Sequence, residues 1–385
     1  MKNFDYYNPV KILFGEGKID QIPTELKQGD KILLTYGGGS IKKNGTYDKV
    51  MKALQGFQVT EFGGIEANPK FETLIKAVQI VKEHKIDFIL AVGGGSVIDG
   101  TKFIAAAALY DGKDPWDILV KGIKVEKAVP FGSVLTLPAT GSEMNSGAVI
   151  SRLSTKEKYA FGSPVLFPKF SVLDPTTTLS LPPRQVANGI VDAYIHTVEQ
   201  YLTYPSNSPI QDKFAESILK TLIEVGPKTL SNPDELAHRA NFMWSCTMAL
   251  NGLIATGVPT DWATHMIGHE LTAFFGLDHG VTLAIVYPAL LREMVDFKKD
   301  KLFQYGEEVW GIKNDGRPET IDKIINKTEE FFHSLGVKTK LSNYGITKEQ
   351  TRPIVERFME RGWKLGEQKN ITHDVVERIL DRALS

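Results

Sequence analysis

The sequence predicts an α/β N-terminal domain built on a mostly parallel sheet, followed by an all-helical C-terminal domain. Three features point there. Short apolar runs alternate with helical periods through the first half, several runs end in glycine-rich or small-residue turns, and past Pro183 strand signals nearly vanish.

The elements read in order as follows. Lys31 to Tyr36 is a strand-like apolar run that ends in Gly37-Gly38-Gly39-Ser40, and a helical stretch follows around Tyr47 to Leu54. Gln58 to Phe62 is strand-like, and Lys70 to His84 has a helical period. Phe88 to Val92 is a second buried strand ending in Gly93-Gly94-Gly95-Ser96, with Ser96 expected to cap a helix that runs toward Ala107. Gly132 to Thr136 and Phe170 to Asp174 repeat the strand pattern, the first ending in Pro138-Ala-Thr140-Gly-Ser142-Glu143. Asp174-Pro175 and Leu181-Pro-Pro183 punctuate the change to helices, so the boundary is placed near residue 180, giving domains 1–180 and 181–385.

A chain of 385 residues suits two or three domains, and 42% hydrophobic with 24% charged residues is ordinary for a soluble globular protein. A net charge of −1 without like-charge blocks argues against nucleic acid and anionic membranes as partners. The single cysteine, Cys246, excludes an intrachain disulfide and a thiolate cluster, and its apolar surroundings make it a packing residue. A cytoplasmic location is expected, since the N-terminal residues lack a signal-peptide core and the run Phe103 to Tyr110 is too short to span a bilayer.

The turn at Gly93 to Ser96 follows a strand and opens a helix. Glycines there let the backbone approach a pyrophosphate, and the helix N-terminus favours its charge. The spacing is not GxGxxG, and a tight turn without ligand is the bland alternative. Three such turns at strand carboxyl ends weigh toward a nucleotide site. After the first turn no acid follows; small residues, a hydroxyl and Lys42-Lys43 do. That leaves room and positive charge for a 2′-phosphate, favouring NADP(H) over NAD(H). Lys158 is a further candidate ligand contact.

Asp192 and His196 lie four apart on a predicted helix, and His265, His269 and His279 fall within fifteen residues of one another. Asp192 and His196 share a helix face, as do His265 and His269 on a second helix, expected to be capped by Thr260 and ended by Gly276, with His279 in a turn beyond it. One carboxylate and imidazoles in this number suit a divalent transition metal. Five candidates for a four-ligand site leave one spare, and His269 suits acid–base work. Met266 stands where a zinc protease would need its glutamate, so that reading is weak. The metal's net positive charge would polarise a carbonyl oxygen beside a nicotinamide. Trp262, Phe274 and Phe275 are read either as the lining of an apolar pocket or as helix packing.

The stretches Tyr36 to Ser40, Ala91 to Lys102, Leu135 to Glu143, Asn188 to His196 and His265 to Gly280 together resemble the iron-containing (group III) alcohol dehydrogenases, within them the NADPH-dependent butanol dehydrogenase/aldehyde reductase branch. The resemblance covers essentially the whole chain. It implies the dehydroquinate synthase-like plan, a dinucleotide-binding α/β domain and a helical metal domain with the active site in the cleft. It implies that Asp192, His196, His265 and His279 hold Fe²⁺ or Zn²⁺, and that His269 lies near the nicotinamide. It also implies that Gly94, Gly95 and Ser96 face the pyrophosphate, with Asp99 beside them. Thr136 and Leu137 would face the adenosine, Lys158 the cleft, and Gly37, Gly38, Gly39 and Ser40 the adenosine ribose. A homodimer and a small aldehyde or alcohol substrate such as butanal or butanol follow from the same resemblance. The rival readings are a glycerol dehydrogenase-like or dehydroquinate synthase-like enzyme on the same plan and, more remotely, a nucleotide- or metal-sensing protein. The apolar residues between the metal candidates argue against the phosphorylated, carboxylated substrate of a dehydroquinate synthase.

Overall fold

The structure, a computed structural model, describes residues 1–385. The chain forms two compact units: Tyr7–Pro182 with Asp234–Thr247, and Met1–Tyr6 with Pro183–Pro233 and Met248–Ser385. The principal division falls at Pro182/Pro183. The first six residues and the segment Asp234–Thr247 each belong to the unit that their sequence neighbours do not.

The first unit is built on six strands, β1 (Lys11–Phe14), β2 (Lys31–Tyr36), β3 (Gln58–Phe62), β4 (Phe88–Gly94), β5 (Phe131–Leu137) and β8 (Phe170–Leu173), in the order β1-β8-β5-β4-β2-β3. All pairings are parallel. Its helices are α1 (Ser40–Lys43), α2 (Thr46–Ala53), α3 (Phe71–His84), α4 (Gly95–Ala107) and α5 (Asp117–Val120). Alternate residues of the central strands feed two cores: Leu33, Ile89 and Ala91 join one, Ile32, Leu34, Leu90 and Val92 the other. Burial on both faces is why these strands are continuously apolar rather than alternating. The strand order reverses between β2 and β4: the chain moves outward from β2 to β3, then returns to the other side of β2. Ligands of open α/β sheets bind outside the carboxyl ends at such a reversal. Tyr36 is in register with Val92, and Gly94 with Leu137, which brings the ends of β2, β4 and β5 level.

Two features of this unit were not anticipated. An antiparallel hairpin joins β6 (Gly147–Arg152) and β7 (Glu157–Gly162) through a turn with no glycine, in which Lys156 takes φ 51°. Ser96 does not cap α4: Gly94 occupies the cap position, and the Ser96 hydroxyl instead accepts from the Asn68 amide at 3.3 Å.

The second unit is helical. Pro183 opens α6 (Pro183–Tyr201), where its missing amide hydrogen costs nothing. This helix is buried almost all round, Ile190, Val191, Ala193, Tyr194 and Ile195 having no exposed surface. Each large apolar side chain so buried contributes roughly 1.5–3 kcal/mol. It packs against α7 (Pro209–Ser231) and, across the chain, α10 (His279–Glu293). Between them in sequence lie α8 (Leu236–Ala249), nearly all of which belongs to the sheet unit and places Met243 in its core, and α9 (Ala263–Phe275). Cys246 on α8 is fully buried. Then come α11 (Val295–Trp310), α12 (Pro318–Ser334), α13 (Lys348–Arg361) and α14 (His373–Arg382). No helix is long and apolar enough to cross a membrane.

Candidate functional site

The helical unit gathers the ionisable residues that sequence had separated by almost ninety positions. Asp192 and His196 lie one turn apart on α6, His265 and His269 one turn apart on α9, and His279 is the first residue of α10 rather than part of a loose turn. The close approach of α10 to α6 is made by Gly280, where a Cβ would come within 2.6 Å of the Asn188 carbonyl oxygen. Asp278 fixes the same corner by accepting from Arg184 Nη1 at 2.7 Å and Asn188 Nδ2 at 2.8 Å. A side chain at Gly280 would push His279 away from Asp192.

Three imidazole Nε2 atoms converge on one carboxylate oxygen. His196 and His265 each lie 3.6 Å from Asp192 Oδ1, and His279 lies 3.5 Å from it. Asp192, His265 and His279 all present ligand atoms within 4.8 Å of one another. Tetrahedral coordination with bonds of about 2.1 Å separates ligand atoms by about 3.4 Å, so the spacing fits one small divalent ion. His265 Nε2 is buried and makes no hydrogen bond, a costly arrangement for a ring nitrogen unless a cation occupies that direction. Burial pushes the His196 imidazole down to about 4, which keeps it in the neutral form a metal needs. For His265 burial acts the same way, but the Glu199 and Asp192 carboxylates outweigh it and raise the imidazole to about 9. His269 sits on the rim of this cluster, its ring 5.2 Å from that of His279 and 6.2 Å from that of His265.

Glu199 is a functional candidate that sequence reading missed. It is 2% exposed, lies three residues after His196 on α6, and its Oε2 meets His265 Nδ1. Its Oε1 accepts from the Thr264 amide at 2.6 Å. The signal was present: Asp192, His196 and Glu199 fall at i, i+4 and i+7 on one helix face. Glu199 and Asp261 also correct the expected cap of α9. Thr260 does not serve. Asp261 Oδ1 accepts from the Ala263 amide at 3.0 Å, and Trp262 turns the chain with φ 68°. Two carboxylates thus take the first free amides of α9, where the helix dipole favours negative charge. Trp262 stands beside the site, 5.5 Å from the His265 ring, whereas Phe274 and Phe275 pack against the helical core, Phe274 under Arg357.

In the sheet unit the turns after β2, β4 and β5 lie side by side at the strand reversal. A Cβ on Gly94 would come within 2.9 Å of Leu137, and one on Gly95 would overlap Thr140. Only backbone fits there, and the amides at the start of α4 remain able to face a phosphate. Lys158, on β7, reaches this end of α4 by donating to Asn68 Oδ1 at 2.9 Å, and the Asn68 amide in turn donates to Ser96. Thr136 and Leu137 close β5. Asp99 lies one turn inside α4, with both oxygens occupied: Oδ1 accepts from Ser142 Oγ at 2.6 Å and Oδ2 from the Val149 amide at 2.9 Å. Its placement is that of a brace between α4 and the hairpin. Buried Lys102 completes the brace, donating to Ser142 Oγ, Asn145 Oδ1 and the Gly147 carbonyl at 2.7–2.9 Å.

Gly37, Gly38 and Gly39, with Tyr36, Lys42, Gly63 and Gly64, line a depression of about 480 Å³. Ser40 opens α1 directly behind. Here the structure adds an acid that the reading of one strand did not include. Glu61, next to last in β3, accepts from Tyr36 Oη at 2.9 Å, Tyr47 Oη at 2.5 Å and Lys42 Nζ at 3.0 Å. Lys42 also lies over both tyrosine rings.

Comparison with known proteins agrees with both halves. Residues 9–175 match the family "Iron-containing alcohol dehydrogenase" and residues 186–384 the C-terminal domain of the Fe-containing alcohol dehydrogenase family. The NADPH-dependent aldehyde reductase YqhD of Escherichia coli K12 is 56% identical over the full length of both chains. A probable NADH-dependent butanol dehydrogenase of Bacillus subtilis is 44% identical over the full length of both. Among solved structures, that of E. coli K-12 YqhD superposes with a TM-score of 0.98 at 55% identity over 99% of each chain. NADH-dependent butanol dehydrogenase A from Thermotoga maritima does so at 0.96 and 38% identity, over 100% of this chain and 99% of the other. The chain therefore belongs to the iron-containing alcohol dehydrogenase family and is an oxidoreductase of the alcohol/aldehyde couple.

Proposed function

We propose that this enzyme reduces small aldehydes such as butanal, and oxidises the corresponding primary alcohols, using NADP(H) and one divalent ion held by Asp192, His196, His265 and His279. The convergence of three Nε2 atoms on Asp192 Oδ1 is the observation that carries this reading. A bound Fe²⁺ or Zn²⁺ supplies Lewis-acid polarisation of a carbonyl oxygen, and a bound nicotinamide supplies or accepts the hydride. The chain's own residues do the rest. Asp192 offsets part of the ion's charge, buried His196 stays neutral, and His269 is the remaining imidazole of the cluster, free of the ligand set and positioned to exchange a proton with the substrate oxygen. Gly94, Gly95 and Ser96 cradle the pyrophosphate at the start of α4, Lys158 adds a positive charge there, and Thr136 and Leu137 border the adenosine. Asp99 holds this loop in place beside the pyrophosphate. Gly37, Gly38, Gly39 and Ser40 form the floor under the adenosine ribose.

Preference for NADP(H) is supported by Lys42 at the depression and by the NADPH dependence in the name of the 56% identical relative. The Lys42–Glu61 pair favours a less strict choice, since the carboxylate offsets the charge that would hold a 2′-phosphate. A homodimer is proposed from the open edge at β1, where Phe14 is exposed; light scattering tests it. The function is tested by following NADPH and NADH at 340 nm with butanal, on metal-stripped protein and after adding Fe²⁺ or Zn²⁺. Metal-dependent turnover with NADPH preferred is the expected result. No turnover under any combination would overturn the reading and move weight to a dehydroquinate synthase-like chemistry.

A further inference from the structure

The metal reading names ligands but leaves open what makes His265 offer the correct nitrogen. A neutral imidazole exists as two tautomers, and only the one protonated on Nδ1 has a lone pair on Nε2. In water the two interconvert freely, so a buried site must select one.

We infer that Glu199 is the positioning residue of the metal centre, fixing His265 as the Nδ1–H tautomer so that Nε2 is aimed at the ion. The assignment rests on the metal reading above. The Glu199 carboxylate accepts on both oxygens, from His265 Nδ1 and from the Thr264 amide. Because α9 is rigid from Ala263 onward, the Thr264 contact fixes the carboxylate relative to the helix that carries His265. The Glu199 backbone is tied to the same corner, its carbonyl accepting from the Asp261 amide at 2.8 Å. Asp261 in turn is held by Lys298 at 2.8 Å, and Lys298 also meets Glu367 at 3.1 Å and the Leu202 carbonyl at 2.8 Å. The imidazole is therefore oriented by a braced acid, not by a free side chain.

The substitution Glu199→Gln tests this through donor polarity. The glutamine Oε1 keeps the Thr264 amide satisfied, which turns its Nε2 donor toward His265 Nδ1. That favours the opposite tautomer, with an N–H pointing where the ion belongs. Losing such an orienting partner typically weakens metal binding 10–100-fold.

The experiment titrates Co²⁺ into metal-stripped wild type, Glu199→Gln, Glu199→Asp and Asp192→Asn, against a competing chelator. It follows the cobalt ligand-field absorption and, in the metal-free proteins above about pH 10, where the His265 ring is neutral, the ¹⁵N shifts of that ring. Wild type is expected to bind one ion. Glu199→Gln should bind it 10–100-fold more weakly, with an altered cobalt band and a ring protonated on Nε2, while Glu199→Asp recovers part of the affinity because it remains an acceptor. Affinity, band and tautomer all unchanged in a folded Glu199→Gln would overturn the inference and leave the metal site standing. Should Glu199→Gln fail to fold, the wild-type tautomer decides alone: protonation on Nε2 refutes the role. If wild type binds no ion, or binds it as well with Asp192→Asn, the metal reading itself fails and takes this inference with it.

Discussion

The two sites are built from different materials. The helical unit builds its proposed metal site from side chains, one carboxylate and a set of imidazoles carried on α6, α9 and α10. The proposed nucleotide loop of the sheet unit depends on the absence of side chains, since a Cβ on Gly94 or Gly95 would meet Leu137 or Thr140. The first kind of site is fragile to a change of chemistry and the second to a change of volume.

Asp192→Asn should have the largest effect. It removes the only negative ligand, so bound metal and turnover should both fall, activity on the order of a thousandfold, as expected when several kcal/mol of charge stabilisation is lost. Metal content by elemental analysis and rate at 340 nm check it; full metal content with full activity would show that the site of chemistry lies elsewhere. Gly95→Val is the matching change of volume, since its side chain would occupy the position of Thr140. The KM for the nucleotide should rise about a hundredfold, close to 3 kcal/mol of lost backbone contact, while the metal stays bound. A variant that loses both would mean that the two sites are not independent.

That comparison also explains what sequence could reveal. Identity plus spacing marks Asp192, His196 and the three later histidines, because few structural demands produce that combination. Glycines after apolar strands mark the loops, and β3 and most of α3 fall where their periods place them. The hairpin of β6 and β7 stayed hidden because its turn lacks the usual glycine. Glu199 and Glu61 stayed hidden for another reason. Glu199 shares the helix face of Asp192 and His196, but its role, like that of Glu61 on its strand, depends on the fold setting it against His265 or Lys42, and packing of distant elements decides that. The placement of α8 in the sheet unit is likewise a tertiary fact with no local signal.

The brace behind the nucleotide loops gives a smaller, pH-dependent effect. Burial lowers the Lys102 ammonium to about 8 and raises the Asp99 and Glu143 carboxyls. For Lys102 the unfolded chain binds the proton more tightly, with its ordinary value of 10.5, so unfolded protein holds more protons between about pH 8 and 10.5 and stability rises with pH across that window. The raised carboxyls act in the opposite sense and lower on the pH scale. Wild type should therefore gain in unfolding midpoint by denaturant between pH 8 and 10 relative to Lys102→Met, by an amount below the total cost of burying the charge. A Lys102→Met profile parallel to wild type would remove Lys102 as the cause.

Glu61→Gln should give the smallest effect and the sharpest one for cofactor choice. Glu61 pairs with Lys42, which lines the depression formed by the Gly37 to Gly39 turn, yet both side chains are partly exposed, so solvent discounts their pairing. Removing the carboxylate leaves Lys42 free to meet a 2′-phosphate and removes a like charge facing it. The expected effect is roughly a fivefold rise in kcat/KM with NADPH. NADH carries no phosphate there, so its kcat/KM should stay within about twofold. Added salt should shrink the difference, because the interaction is between exposed charges. An equal rise for both cofactors would assign Glu61 an effect on the shape of the depression through Tyr36 and Tyr47. No change for either would place the adenosine ribose away from Lys42, and the preference would then have to come from Lys43 or from the backbone of the turn itself.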